Sequence, residues 1–334
     1  MLKQITFFLF FFRMVFTMHR LIIPDDYQAH MIPLPEDEKK ALDLKALITV
    51  RNIVAINEAR QEITIEASLK LFWKDKRINI RDDVSEFDGE DEHGKFIVMD
   101  SRFSDFIWIP DIFVDQSTMT RVSSFHIKPS SIRVYENSMI RYNKRLNFDV
   151  ACPMDFAKYP VDDQTCEIKF ESFSYQTSKL NMTWDDMVRN NYPKNLKLAQ
   201  FRHHFHRQQY DPSKNIHGKG KEFAFVILIL HLKRLIQFHI TSTYIPSILL
   251  VGLGYTTLYL PAQAVPGRVA MGMLTFLALT TMNNSVKNSL PKVSYMTYMD
   301  IWTATCIIFV FFTNLVSICE MTMTKSPGMQ WEET

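Results

Sequence analysis

The chain has 334 residues, enough for two domains, with a formal net charge of +2 and 47% hydrophobic residues. No lysine–arginine stripe with interleaved aromatics occurs, which sets aside a nucleic-acid-binding protein. The catalytic signatures G-x-S-x-G, H-E-x-x-H and the P-loop are absent, which removes the motif-based case for an enzyme.

At the start, Lys3 precedes an apolar run from Ile5 to Phe12, of signal-peptide rather than spanning length. A secretory signal over residues 1–20 is expected; a misassigned start or a short anchor is the alternative, since Arg13 interrupts the run. Residues 21–235 then read as a water-soluble, mainly β half, rich in charge and turn formers. In "ITIEASLKLFW", Ile63, Ile65, Ala67, Leu69 and Leu71 alternate with Thr64, Glu66, Ser68 and Lys70, the period of a half-buried strand. Short apolar runs such as "KFIVMD", "SSIRVYE", "CEIKFESF" and "EFAFVILILHL" recur between turn signals, a spacing that predicts a sandwich or barrel.

Cys152 and Cys166 lie in this half and most simply form one disulfide. The bridge would close a loop of 13 intervening residues, worth about 3 kcal/mol in the chain-entropy picture. Asn181-Met182-Thr183 is a glycosylation sequon in a segment expected to be secreted. "FRHHFHRQQY" sets His203, His204 and His206 close together, either as zinc ligands and pH sensors or as a solvated basic loop.

From residue 236 to 334 long apolar runs dominate. Three membrane helices are expected, over about 238–260, 266–287 and 298–321, followed by a short tail. Pro246 falls inside the first and should loosen it. The connections are short, so the helices form a compact antiparallel bundle. Cys306 and Cys319 are expected free and buried within it.

The second helix, "PGRVAMGMLTFLALTTMNNSVKNS", carries the functional argument. Ala270, Leu274, Leu277, Thr281, Asn284 and Asn288 are spaced 4, 3, 4, 3 and 4 apart, which places them on one face. That face either packs in a bundle, its polar groups bonded to neighbours, or lines an aqueous path. No Asp or Glu occurs between Glu222 and Asp300, while Lys233, Arg234, Arg268, Lys287 and Lys292 do. With several copies around an axis, Arg268 would form a basic ring at one mouth and Lys287 another near the opposite end. Basic rings favour anions, and a ring of leucines closes a pore by dewetting. One chain has too few helices to enclose such a path, so this reading requires an oligomer.

The stretch "CPMDFAKYPVDDQTC", from Cys152 to Cys166, resembles the signature loop of the Cys-loop, or pentameric ligand-gated ion channel, superfamily. Both cysteines, Pro153, Met154, Asp155, Tyr159-Pro160, Asp162 and Gln164 carry the match. "FWKDKRI", "WIPDIF", "ESFSY" and "LKRLIQFHITSTYIPSILLV" agree in the family's order. "PGRVAMG…LTTM…SLPKVSYMTYMDIW" resembles the anion-selective branch of glycine, GABA and invertebrate glutamate receptors. Pro266-Gly267-Arg268 departs from that branch's usual Pro-Ala-Arg.

The resemblance implies an extracellular ligand-binding β-sandwich followed by an α-helical transmembrane bundle, with three helices present of the family's four. It implies a plasma-membrane, multi-pass subunit of a homo- or hetero-pentamer. Such an assembly passes chloride through the lipid bilayer when a small amino-acid-like transmitter binds, and it needs no cofactor. Arg268 would sit at the cytoplasmic mouth and Leu277 at the gate. Phe113, Phe173 and Phe223 fall at principal-face aromatic positions, and Lys70 where relatives often have arginine. A solvated Lys70 with core phenylalanines is the alternative. The second disulfide of glycine and glutamate receptors is absent, which leans toward a GABA-type relative. Asp162 is expected near Arg234 and the Lys287–Lys292 connection, with the segment Trp73 to Arg77 at the same membrane end. The family's fourth helix does not follow in this sequence, which is expected to be either an incomplete gene model or a truncated form. The second option motivates the other reading, a truncated, non-conducting subunit that modulates the assembly of full-length relatives.

Overall fold

The computed structural model describes residues 20–35, 40–121, 130–185, 196–208, 223–261 and 263–324. The expected signal sequence lies almost wholly outside the described residues.

Two packed sheets form the first half. The eight-stranded sheet runs in the order β12 (Leu180–Trp184), β2 (Leu42–Asn57), β3 (Glu62–Lys74), β10 (Met139–Ala151), β9 (Ser130–Tyr135), β6 (Gly94–Met99) and β5 (Gly89–Asp91). A further strand, β8 (Ser117–Arg121), pairs with β10. The four-stranded sheet runs β13 (Phe201–Gln208), β14 (Phe223–Arg234), β11 (Asp163–Gln176) and β7 (Ile112–Val114). A small pair joins β1 (Leu21–Ile22) to β4 (Asn79–Ile80).

Alternation decides which side chains meet between the sheets. On β3 the buried set includes Ile63, Ile65, Ala67, Leu69 and Leu71, as the period-2 pattern requires. Opposite them stand Ile168 and Phe170 of β11 and Val226, Leu228 and Leu230 of β14. Phe148 of β10 meets Phe170 edge-on at 6.0 Å, stitching one sheet to the other. Cys152, just after β10, and Cys166 on β11 form the disulfide, with Cα atoms 5.1 Å apart. The bridge therefore ties the two sheets together near one end.

Past Arg234 the chain becomes helical. A short α-turn (Gln237–His239) leads into a π-helical turn (Ile240–Tyr244) and then α1 (Ile245–Thr256). The π-turn lies directly before Pro246, whose ring removes a backbone donor and loosens the ladder there. Next come α2 (Val265–Ser289) and α3 (Tyr298–Thr324). Both α2 and α3 are long and apolar enough to cross a bilayer. Small residues let the helices approach. A Cβ on Gly254 of α1 would lie 3.2 Å from Val310 of α3, and one on Gly272 of α2 would collide with Asn314 of α3. Across the bundle, Trp302 donates its indole N–H to Ser247 at 3.0 Å, and Thr303 donates to Asn283 at 3.0 Å. Cys306 is free and buried as expected, but Cys319 is exposed on the outer surface of α3.

Candidate functional site

Three places carry the functional expectations: an aromatic edge on the sandwich, the junction between sandwich and helices, and the free face of α2.

At the edge of the four-stranded sheet, Phe113 of β7 and Phe173 of β11 meet edge-on with ring centres 5.9 Å apart. Phe173 is 73% exposed, so this is not core packing. Asp111 sets the pair. Its carboxylate accepts from the Ser172 hydroxyl at 2.7 Å and the Ser174 backbone N–H at 2.8 Å, which fixes the bend of β11 beside β7. Phe223 is not in ring contact with this pair; it opens β14, half-buried, opposite Gln176. The segment before it lies outside the described residues.

Lys70 belongs to the other sheet. Leu69 and Leu71 point into the core, so Lys70 points out of the eight-stranded sheet, where a single chain cannot bring it to the aromatic pair. Its surroundings are basic. Burial, then Arg141, Arg133 and Arg51, lower its pKa. Arg51 donates to Ser68 at 2.8 Å. Asp91 accepts from Arg133 at 3.0 Å, Arg141 at 3.1 Å and the Tyr135 hydroxyl at 2.8 Å. Burial alone would raise the Asp91 pKa, but the His93 N–H, Tyr135 and the two arginines outweigh it and hold the carboxyl low. Composition did not single out Arg51, Asp91, Arg133 or Arg141. Strand parity with Lys70 is a signal for Arg133 and Arg141 only once the register is known.

The junction is built around Arg234, the last residue of β14. Its guanidinium donates to Asp162 at 2.7 Å and 3.1 Å, and to both oxygens of Glu58 at 2.8 Å. Tyr159 and Phe201 sandwich it, with ring centres 4.8 Å and 4.6 Å from the guanidinium carbon. Burial opposes the charge, yet the bonds to Asp162 and Glu58 push the Arg234 pKa further up. Burial also drives the Tyr159 phenol up to about 12.

The Cys152–Cys166 loop then meets the helices directly. The backbone N–H groups of Tyr298 and Met299 donate to the carbonyls of Ala157 and Tyr159, at 3.2 Å and 3.1 Å. The Tyr295 hydroxyl accepts from the Phe156 N–H at 2.9 Å. Asp162 and Arg234 thus meet as expected. Lys287 and Lys292 do not join them. Lys287 pairs with Asp300 at 3.5 Å, and Lys292 is exposed. Asp300 is itself committed to the start of α3, where it and Thr297 exchange hydrogen bonds in a capping box.

The segment Trp73 to Arg77 is also not here. β3 starts beside Cys152, whose N–H donates to Gln61, and carries Trp73 roughly 35 Å away at the strand's rise per residue. There Asp75 and Arg77 pair at 2.8 Å beside Tyr27. The membrane-end turn is instead the one holding Glu58.

On α2, the residues Ala270, Leu274, Leu277, Thr281, Asn284 and Asn288 are all exposed, Leu277 at 59%. The buried residues, Arg268, Gly272, Thr275 and Leu279, lie on the opposite face toward α1 and α3. Arg268 therefore does not project with the stripe. Its guanidinium donates to the carbonyl of Leu260 at 2.9 Å and again more closely, to that of Leu258 at 3.4 Å, and to the Glu320 carboxylate at 2.7 Å. The reason is angular: two residues at 3.6 per turn set Arg268 about 200° from Ala270. That signal was available in the sequence.

Of the remaining candidates, Asn181 is exposed on β12, bonded to Asp43 at 2.9 Å. His203 turns to the side of Phe205, while His204 and His206 point outward.

A β-sandwich whose terminal arginine is locked to a disulfide loop resting on membrane-length helices defines a receptor-like membrane protein. A family model described as the neurotransmitter-gated ion-channel ligand binding domain matches residues 17–236. A second, described as the transmembrane region of the same channels, matches residues 243–330. The chain belongs to the neurotransmitter-gated ion channel family. Similar proteins include a gamma-aminobutyric acid receptor subunit beta of Lymnaea stagnalis, 29% identical over 81% of this chain and 54% of that relative. A glutamate-gated chloride channel of Drosophila melanogaster is 29% identical over 78% of this chain and 55% of its own length. A gamma-aminobutyric acid receptor subunit pi of Bos taurus is 29% identical over 79% and 57%. The chain spans about half the length of these curated relatives.

Proposed function

We propose that the chain is a subunit of a pentameric plasma-membrane channel that passes chloride when an extracellular amino-acid-like transmitter binds. The observation that carries this reading is the free face of α2. Six residues at helical spacing stay exposed while the opposite face is fully engaged with α1 and α3. The Thr281 hydroxyl is satisfied by the Ala278 carbonyl at 2.9 Å, but the amides of Asn284 and Asn288 facing hydrocarbon would lack partners, so water in a shared lumen is the better environment. No carboxylate occurs anywhere on α2, which favours anions over cations. With Arg268 turned inward, its charge acts on the path only through the protein, not as a lumenal ring.

Binding would occur where the Phe113–Phe173 edge of one subunit faces the Lys70 surface of the next. An aromatic edge suits an ammonium group, and a cationic sheet suits a carboxylate. Gamma-aminobutyric acid and glutamate, which name the receptors of the relatives, carry both. Movement of the sheets would reach the helices through Arg234, Tyr159 and the Tyr295–Met299 segment. A ligand shifts such an equilibrium only by its differential affinity for the two states.

The test is current recording from membranes bearing the chain, with bath chloride replaced, on the wild type and Leu277→Ser. We expect transmitter-evoked current reversing near the chloride potential, and easier opening in Leu277→Ser. Surface-expressed protein without current in either form would overturn the conducting reading and favour a modulating subunit.

A further inference from the structure

We propose that Lys169 is a built-in competitor for the transmitter's ammonium group, its own ammonium filling a recess of carboxylates and aromatic rings beside the Phe113–Phe173 edge. The inference deepens the binding reading above and rests on it. Strand alternation builds the recess. On β11, Ile168, Phe170 and Ser172 are buried, so Lys169, Glu171 and Phe173 point out of the four-stranded sheet. On β14, Ala224 and Val226 are buried, so Phe225 points the same way, as does Phe113 beside buried Val114 on β7. The register sets Glu171 directly opposite Phe113 on one side and Phe225 on the other. Phe225, rather than Phe223, is the β14 aromatic that shares this row.

An acid between two rings is a receptor for a small ammonium ion. The carboxylate accepts a charge-assisted hydrogen bond, and the ring faces attract the cation. The chain places its own cation there. Lys169 donates from Nζ to Glu171 Oε2 at 2.9 Å, lies 3.9 Å from Asp115 Oδ2, and stands 4.4 Å from the centre of the Phe225 ring. Asp115 belongs to the same corner, since its backbone N–H donates to the Lys169 carbonyl at 2.8 Å.

Glu171 is 13% exposed and Lys169 29%, so the acid is held in place while the lysine has an open side. A flexible four-carbon stem lets the ammonium swing to water. While it stays, it competes as a tethered ligand at an effective concentration on the order of millimolar. A free transmitter therefore seats its ammonium against Glu171 only by displacing Lys169. Its apparent affinity falls by the fraction of time that the recess is vacant. Lys169 thus sets the sensitivity of the site without touching the bound transmitter.

The experiment titrates gamma-aminobutyric acid, and separately glutamate, into the full chain in lipid nanodiscs, read by calorimetry. Lys169→Met keeps the alkyl stem and removes the ammonium. It should bind one or both ligands about tenfold more tightly than the wild type, the combined scale of a partly exposed ion pair and a cation–π contact. Lys169→Arg keeps a cation and should stay close to wild type. Adding Glu171→Gln to Lys169→Met should remove the gain. Equal affinity in the wild type and Lys169→Met overturns the competitor; if Phe173→Ala then still loses binding, the site itself stands. No binding by any form overturns the transmitter reading, and the competitor with it. Lysine acetylation of the wild-type chain, mapped by mass spectrometry, removes any dependence on variant folding. Bound transmitter should release Lys169 and raise its acetylation, and unchanged labelling under a ligand that binds overturns the proposal.

Discussion

Each end of the membrane region holds a buried arginine, and the two are held differently. Arg234, with a side chain 1% exposed, has two carboxylates and two aromatic rings around it, drawn from turns and strands far apart in the chain. Arg268, 2% exposed, leans mostly on carbonyls eight and ten residues away, and its one acid, Glu320, is 49% exposed. The first arginine joins three segments into a unit that movement can pass through. The second closes off a helix end. Burial alone does not distinguish them; the sequence separation of the partners does.

Changing each arginine separates these roles. Arg234→Gln leaves Asp162 and Glu58 facing each other without a cation, and removing one partner of a buried ionic cluster costs about 3–5 kcal/mol. Denaturant unfolding should show it, and wild-type stability would mean the cluster is solvated. Arg268→Gln should cost less, about 1–3 kcal/mol for lost charged hydrogen bonds, since Glu320 can turn to water. Equal losses in the two variants would break the comparison.

Between these ends, Gly272→Ala probes the close approach of α2 to α3. Its new methyl meets the Asn314 amide, which also donates to the Gly272 carbonyl at 3.2 Å. Overpacking of this kind costs about 1–3 kcal/mol, and Asn314→Ala should recover much of it. A smaller effect, about 1 kcal/mol or less, is expected for Glu320→Gln, because a half-exposed ion pair is weakened by solvent.

The smallest expected effect concerns Lys70. Its pKa is lowered in the folded chain, so the unfolded chain holds that proton more tightly. The charge therefore opposes folding at neutral pH, and the penalty fades as pH rises through the lowered folded pKa toward the model-peptide value of about 10.4. Lys70→Met should raise the melting temperature at pH 7, with a gain that shrinks toward pH 10. A constant gain across that range would assign the change to packing instead.

The sequence by itself determined what depends on near neighbours. Alternation from Ile63 to Leu71 yields a half-buried strand, the cysteine spacing allows the loop, and a 3.6-residue repeat gathers Ala270 to Asn288 on one face. The same repeat turns Arg268 away from that face, although its charge alone had suggested a ring in the lumen. Only the tertiary structure decided which distant groups meet. Glu58 and Arg234 are 176 residues apart, and the Trp73–Arg77 segment sits at the far end of β3 rather than beside the helices. His231 and His204, 27 residues apart, face each other only through the register of β13 with β14. Strand and helix periods follow from backbone geometry within a few residues, whereas pairing across sheets depends on how long connections close and which faces bury.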